Sequence, residues 1–424
     1  MLLLACDTQP DTALLDPQTC AECHPAHHSE WEGSMHAHAA DDPVFRALNA
    51  RAVASGEVPE DFCVQCHAPV ALALGETQDG LNLDEVPAEH RGVGCAFCHQ
   101  IEAVTGDNNA ALTWSFDGWM RGALEDPLDS SVHRSRYSAL LDRNADESSA
   151  MCGSCHDVML PDGLHLERSY LEWQGSIFAE GRSRQGCVHC HLPSRSGLVA
   201  EVDGAPERRV HDHSMPAIDV ALIDWPGRDV QREAIQAQLD KTLAAELCVS
   251  PAAGGSQARV SLENLLAGHD FPSGASHDRR VWVELVAYSG DSVVFESGVV
   301  PDGVALSALP EAQRIELHDL ATTADGEPAH GISDAAFLEE RALPVAPLPL
   351  GPHSRTWTLE MPGVDPDRVQ MRVLLRPLGL DLLDHHIEAG RLDPSLRAEV
   401  PTFELASTAL TWESGDACVG ALSE

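Results

Sequence analysis

The pattern C-x-x-C-H occurs five times within the first 191 residues of this 424-residue chain, and it constrains the fold more than any other feature. Two thiols separated by two residues can reach the two vinyl groups on one edge of a porphyrin. The histidine that follows then lies beneath the ring, where its imidazole can bind the iron as proximal ligand. The sequence therefore predicts five haem c groups. Their attachment cysteines and proximal histidines are Cys20, Cys23 and His24; Cys63, Cys66 and His67; Cys95, Cys98 and His99; Cys152, Cys155 and His156; and Cys187, Cys190 and His191.

Other chemistry also uses C-x-x-C pairs, notably structural zinc sites and redox dithiols. A zinc site closes with two such pairs, so an odd number of pairs fits zinc poorly. Neither zinc nor dithiol chemistry requires a histidine after the second cysteine, yet every pair here has one. The sequence contains no H-E-x-x-H, EF-hand loop or P-loop. These observations favour haem c over the alternatives.

Three of the thirteen cysteines lie outside the motifs. Cys248 and Cys418 are a candidate disulfide in an oxidising compartment, and two separate buried thiols are the alternative. Leu3-Leu4-Ala5-Cys6 resembles a lipoprotein lipobox, which makes Cys6 a lipidation candidate, although the preceding stretch is too short for a whole signal peptide. No stretch is long and apolar enough to span a bilayer. We therefore expect a periplasmic or extracellular protein, lipid-anchored if Cys6 is modified.

The formal net charge of the chain is −40. So acidic a surface repels nucleic acid and anionic lipid headgroups, which makes both poor partners. It would attract a redox partner with a basic docking surface, and it could equally serve solubility alone. A membrane contact is expected only through a lipid anchor at Cys6.

The pattern of apolar residues along the chain changes near residue 248. We expect an N-terminus and linker over 1–16, a pentahaem domain over 17–247 and a β-domain over 248–424. Short helices are predicted over 31–40 and 42–54, and a longer one over 228–247. Apolar alternation predicts strands over 280–288, 291–295, 369–375 and 401–412. The fold class is thus α+β and multidomain, with an N-terminal multihaem domain of short helices and loops and a C-terminal β-sandwich, immunoglobulin-like.

Four further elements accompany the haem motifs: W-x-x-S-x-H at 31–36, C-G-S-C-H-D at 152–157, E-W-x-x-S at 172–176 and G-H-D-F-P-S-G at 268–274. Together with the five motifs they resemble the multihaem cytochromes grouped as cytochrome c-552/4-like, relatives of the hydroxylamine oxidoreductase lineage. The resemblance covers nearly the whole chain.

The resemblance implies distal haem ligands at His36, His133, His213 and His269. His269 would then reach from the β-domain towards the haem domain, and a turn histidine beside Phe271 is the alternative. The fifth distal ligand stays open. His90, five residues before Cys95, is placed first, and the other candidates are His211, His38, His27 and His165.

All five motifs end in histidine, whereas pentahaem nitrite reductases have a C-x-x-C-K motif at the catalytic haem. None of the three tyrosines follows a haem motif closely, so the tyrosine cross-link of hydroxylamine oxidoreductase finds little support. The sequence favours electron transfer along a bis-histidine haem chain over catalysis. Two alternatives remain: an enzyme that reduces or oxidises a small nitrogen or sulfur compound at one five-coordinate haem, and a homo-oligomeric subunit of an extracellular cytochrome filament.

Overall fold

The structure is a computed structural model that describes residues 12–128, 130, 132–310 and 314–422. The lipidation candidate Cys6 lies outside these residues. Within them, no helix is both long and apolar enough to cross a membrane. The α-helices are α1 Pro17–Ala21, α2 Pro25–Glu32, α3 Pro43–Ser55, α4 Val64–His67, α5 Pro69–Leu74, α6 Cys95–His99, α7 Glu147–His156, α8 Ser169–Gln174, α9 Cys187–His191, α10 Arg228–Leu239 and α11 Leu380–Glu388.

Short strands lie between the early helices, and longer strands occupy the second half of the chain. They are β1 Ile101–Val104, β2 Leu112–Trp114, β3 Trp119–Gly122, β4 Arg134–Tyr137, β5 Asp157–Met159, β6 His165–Arg168, β7 Ser194–Leu198, β8 Glu207–His211, β9 Leu243–Ala252, β10 Gly255–Asn264, β11 Arg280–Ser289, β12 Ser292–Ser297, β13 Ile315–Glu316, β14 Leu320–Thr322, β15 Phe337–Glu339, β16 Ser354–Pro362, β17 Arg368–Arg376, β18 Phe403–Glu404, β19 Leu410–Glu413 and β20 Cys418–Gly420. The predicted mixture of helix and sheet is confirmed.

The chain forms two compact units. The first, called here the haem-motif unit, runs to Cys155 and includes Gly186–Met215. The second, called the β-rich unit, consists of His156–Gln185 and Pro216–Glu424. The predicted boundary at 247/248 does not match this division. The segment 156–185 is part of the β-rich unit because its backbone bonds to that unit's loops: Ile177 N–H donates to the Ala346 carbonyl, and Leu348 N–H donates to the Gly175 carbonyl.

The haem-motif unit is built from short helices joined by turns. Helix α3 shows why they form where they do: the Asp42 carboxylate accepts the Phe45 N–H at 2.8 Å, Pro43 occupies the first turn, and Gly56 ends the helix in the left-handed region. The predicted helix over 42–54 is thus confirmed. The one over 31–40 is wrong, because α2 ends at Glu32 and residues 33–41 form turns.

Two small apolar clusters lie in the core of the haem-motif unit. One cluster gathers Ala40, Phe45, Val64, Ala68, Ala71, Leu83 and Val86. A second gathers Leu15, Val70, Ala96, Phe97 and Ile101. The first cluster contains Val64 of the motif helix α4, and the second contains Ala96 and Phe97 of the motif helix α6. The packing that stabilises this unit therefore also fixes two of the helices that carry the haem motifs.

The β-rich unit contains two larger antiparallel sheets. One has the strand order β16-β10-β9-β20, and the other runs β12-β11-β17-β18, with β13 and β19 attached to it. In β11 the alternate residues Val281, Val283, Leu285 and Ala287 are buried as predicted, and β12 follows across Gly290 as the expected hairpin. A single strand over 401–412 is wrong, because a 3-10 turn separates β18 from β19. The sandwich and its immunoglobulin likeness stay predictions.

The predicted helix over 228–247 is too long. Helix α10 ends at Leu239, and its buried face is Gln231, Ile235 and Leu239, whereas Val230 is exposed. From Leu243 onwards the apolar residues alternate, with Leu243, Ala245 and Leu247 buried, which is the period of a strand. A short apolar run fits both periods, and pairing with β10 selects the strand.

A disulfide joins Cys248 to Cys418. The two residues lie directly opposite each other in the register of β9 and β20. Because β20 contains three residues, the disulfide fixes a short C-terminal strand to the sheet.

Candidate functional site

The five C-x-x-C-H motifs each lie on or beside one helical turn. Four of them coincide with α4, α6, α9 and the C-terminal end of α7, and the first begins in α1 at Cys20 and ends just beyond that helix. In a helix, residues three apart lie on one face, so both cysteines of a motif face the same side and the histidine comes next. The ten motif cysteines are partly buried, and none takes part in a disulfide.

Several motifs come together through their thiols in the haem-motif unit. The thiol of Cys20 in the first motif lies beside that of Cys95 in the third. The thiol of Cys155 in the fourth motif lies beside that of Cys66 in the second, and the thiol of Cys152 lies beside that of Cys187 in the fifth. The attachment sites are therefore neighbours, and their spatial order differs from their order in the chain.

Three proximal histidines direct their Nδ1 atoms to backbone carbonyls. His24 Nδ1 lies 2.7 Å from the Val199 oxygen, His67 Nδ1 lies 3.1 Å from that of Ala39, and His99 Nδ1 lies 2.6 Å from that of Arg121. A donated Nδ1–H fixes the tautomer in which Nε2 carries the lone pair, and it orients the ring as metal-bound histidines require. The carbonyl partners are distant in sequence, so no local pattern could have identified them.

His24 and His133 lie at a separation that suits two ligands of one iron. Their ring centroids are 6.3 Å apart, and the ring planes are inclined by 29°. Two imidazoles on opposite sides of a metal have centroids roughly 6 Å apart, because each metal–nitrogen distance is about 2 Å and each ring centre lies about 1 Å beyond its nitrogen. The Nδ1 of His133 contacts the Ser135 hydroxyl at 3.3 Å, which leaves Nε2 for a metal.

His99 and His213 form a second pair with the same geometry. Their ring centroids are also 6.3 Å apart, with an inclination of 22°. His213 Nδ1 donates to the His211 carbonyl at 2.8 Å. Both pairs thus combine a proximal histidine with one of the four predicted distal ligands, and in both pairs each Nδ1 is engaged elsewhere.

Burial keeps the imidazoles of the second pair neutral, which is the form that binds a metal. It lowers the pKa of His99 to about 4 and that of His213 to about 3. His27 lies between the two pairs, edge-on to His213 with centroids 4.9 Å apart, and burial lowers its pKa to about 4 as well.

The candidates for the fifth distal ligand differ in which ring nitrogen is engaged. His90 Nδ1 contacts the Glu76 carboxylate at 2.8 Å, and His211 Nδ1 contacts the Leu192 carbonyl at 2.8 Å. Both arrangements suit ligation through Nε2. His38 Nε2 instead contacts the Glu32 carbonyl at 2.9 Å, and His165 Nε2 lies 3.2 Å from the Asp157 carboxylate. This geometry favours His90 and His211 over His38 and His165.

The two remaining predicted ligands lie on loops. His36 follows α2, and its backbone carbonyl accepts the Val93 N–H at 2.7 Å. His269, in the β-rich unit, directs Nδ1 to the Asp270 carbonyl at 2.8 Å. Glu172 Oε2 holds the His269 loop by accepting the Asp270 N–H at 3.2 Å and the Ser273 hydroxyl at 2.5 Å. Burial raises the pKa of Glu172 to about 8.

The residues present therefore fit haem c. Reduced cysteine pairs on single helical turns supply the thioether positions, and neutral histidines oriented through Nδ1 supply axial nitrogens. The small apolar clusters of the haem-motif unit are consistent with a fold in which porphyrins add apolar bulk.

Comparison with known proteins points the same way. Residues 19–100 match the family model described as cytochrome c554 and c-prime, a span that includes the first three motifs. The fold is similar to the crystal structure of a penta-heme cytochrome c552 from Thermochromatium tepidum, with a TM-score of 0.61 and 20% identity over 95% of this chain and 97% of that one. The comparison with curated proteins gives no match.

The five motifs, the match over residues 19–100 and the fold thus resemble those of multihaem c-type cytochromes. The arrangement of cysteine pairs and histidines in this chain fits haem c as the bound cofactor.

Proposed function

We propose that this protein transfers electrons along a chain of five haem c groups, each bound by two histidines. The main support is the separation of two histidine pairs, His24 with His133 and His99 with His213. In each pair the ring centroids are 6.3 Å apart, which suits two axial ligands of one metal. Two histidines on each iron keep it six-coordinate, which suits electron exchange and leaves no position for a substrate.

Each motif would hold one haem through its two cysteines and its proximal histidine. The bound haem supplies a one-electron iron couple. The chain's own contribution is to orient the axial imidazoles: the Val199 and Arg121 carbonyls fix His24 and His99, and the His211 carbonyl fixes His213. We assign His36, His133, His213 and His269 as distal ligands, and His90 as the fifth because Glu76 orients its Nδ1.

The thiol contacts support short separations between cofactors. They bring the first motif beside the third, and the fourth motif beside both the second and the fifth. Neighbouring attachment sites favour rapid electron exchange between the groups attached there.

We propose a periplasmic or cell-surface location, with lipid attachment at Cys6. The net charge of −40 favours a redox partner with a basic docking surface. An extracellular homo-oligomeric filament is the alternative assembly, and distal ligands donated between subunits would support it.

Film voltammetry of the purified protein tests electron transfer against catalysis. We expect reversible one-electron waves that nitrite, hydroxylamine and sulfite leave unchanged. A catalytic current with one of these compounds would instead support the alternative of a five-coordinate, enzymatic haem.

A further inference from the structure

Residues from three of the sequence elements lie together in the β-rich unit. Asp157 ends the C-G-S-C-H-D element, Glu172 begins the E-W-x-x-S element, and His269 belongs to the G-H-D-F-P-S-G loop. Roughly a hundred residues separate the last two, so their contact is a property of the fold rather than of local sequence.

The residue after His156 is fixed to helix α8. The Asp157 carboxylate accepts the N–H of Tyr170 at 2.8 Å and that of Leu171 at 3.2 Å. Asp157 is 1% exposed, so these two bonds form in a dry environment, where an unpaired carboxylate would be costly.

The residue after His269 is fixed to the same helix. Glu172, one position beyond Leu171, accepts the Asp270 N–H and the Ser273 hydroxyl. The Ser169 hydroxyl at the start of α8 adds a bond to the Ser273 hydroxyl at 2.8 Å. The residues that follow His156 and His269 are therefore tied to consecutive residues of one short helix, which rises about 1.5 Å per residue.

A buried polar network, built on the ion pair between Arg168 and Asp319, lies beside Glu172. Arg168 bonds to Asp319 at 2.9 Å and lies 3.7 Å from Glu172. Asp319 in turn accepts the backbone N–H groups of Arg341 and Ala342. The network anchors α8 to the loops of the β-rich unit, so it resists displacement of the His269 loop.

We propose that Asp157 and Glu172 are positioning residues that place His156 and His269 on the same iron, that of the haem attached at Cys152 and Cys155. His165, the other candidate ligand in this segment, is excluded from that role because its Nε2 faces the Asp157 carboxylate at 3.2 Å. The inference rests on the proposed bis-histidine ligation and deepens it by naming one pair and its support.

The first test uses spin state in the five-haem protein. His269→Ala should convert one fifth of the haem from low-spin to high-spin, and added imidazole should reverse this. Glu172→Ala should weaken ligation at the same haem, whereas Glu172→Gln, which keeps an acceptor oxygen, should not. Glu340→Gln is the matched control, since Glu340 pairs with Arg168 at 3.2 Å but its side chain is 69% exposed and outside the loop.

The second test identifies the haem. In a Cys152→Ser/Cys155→Ser variant, which should carry four haems, adding His269→Ala should change nothing further. A new high-spin signal there would overturn the pairing with His156 while leaving bis-histidine ligation intact. If His269→Ala leaves all five haems low-spin in the otherwise native protein, the ligand assignment itself fails.

A third measurement serves if the four-haem variant does not mature. Potentiometric titration of Asp157→Ala, Glu172→Ala and His269→Ala should show that the same single reduction step moves in all three. Shifts in different steps would contradict the proposal.

Discussion

At the residue scale, the engaged ring nitrogen separates candidate ligands from structural histidines. The sequence contains 22 histidines, many more than ten axial positions require. His24, His99 and His213 direct Nδ1 to backbone carbonyls. In His38 it is Nε2 that contacts a backbone carbonyl. Sequence alone could not make this distinction, because each partner is set by a backbone turn or by a residue far along the chain.

Removing His133 tests the first opposed pair. His133→Ala should leave five haems attached but make about one fifth of them high-spin, because the iron loses one axial nitrogen. Electron paramagnetic resonance of the oxidised protein measures this. His38→Ala and His353→Ala are matched controls, since Glu32 and Glu263 engage Nε2 of these residues, and both should stay fully low-spin. A His133→Ala protein without high-spin haem would contradict the assignment of His24 and His133 to one iron.

At the element scale, the predictions that succeeded rest on regular periodicity. Strands β11 and β17 each bury a set of alternate apolar residues, and both occur where expected. The helix predicted over 228–247 was too long, because its last apolar residues fit a strand equally well. Pairing with β10 is what makes these residues a strand. The assignment of 156–185 to the β-rich unit was missed because it depends on tertiary hydrogen bonds such as the one between Ile177 and Ala346.

The disulfide between β9 and β20 should stabilise the β-rich unit. Replacing both cysteines, Cys248→Ala/Cys418→Ala, should lower its free energy of unfolding by about 2–5 kcal/mol, because the bond closes a long loop in the unfolded chain. Urea unfolding followed by circular dichroism measures the change. Haem content and visible spectrum should stay as in the native protein. An unchanged unfolding midpoint would contradict a stabilising role of the disulfide.

At the scale of the whole molecule, the stability of the protein should fall in acid. Burial lowers the pKa of His318 to about 3, against an ordinary 6.5. The folded protein thus keeps this imidazole neutral, while the unfolded chain binds a proton below pH 6.5. Keeping His318 neutral therefore costs no stability above pH 6.5. The free energy of unfolding falls as the pH drops from 6.5 towards 3.

Between pH 6.5 and 4, His318 alone should lower the free energy of unfolding by on the order of 3 kcal/mol. His318→Gln should therefore make the free energy of unfolding less sensitive to acid over that range. Arg280, Asp381, Arg341, Arg314 and Glu316 also face His318 or lie near it, so the comparison is the slope of the variant against that of the native protein. Equal slopes would contradict the role of His318.

The central claim is that five haems are each bound by two histidines. It is tested most directly by combining the mass of the mature protein, which counts attached haems, with electron paramagnetic resonance of its oxidised form. We predict five haems per chain and low-spin ferric signals alone. Fewer than five haems, or a high-spin ferric signal from one of them, would contradict the account.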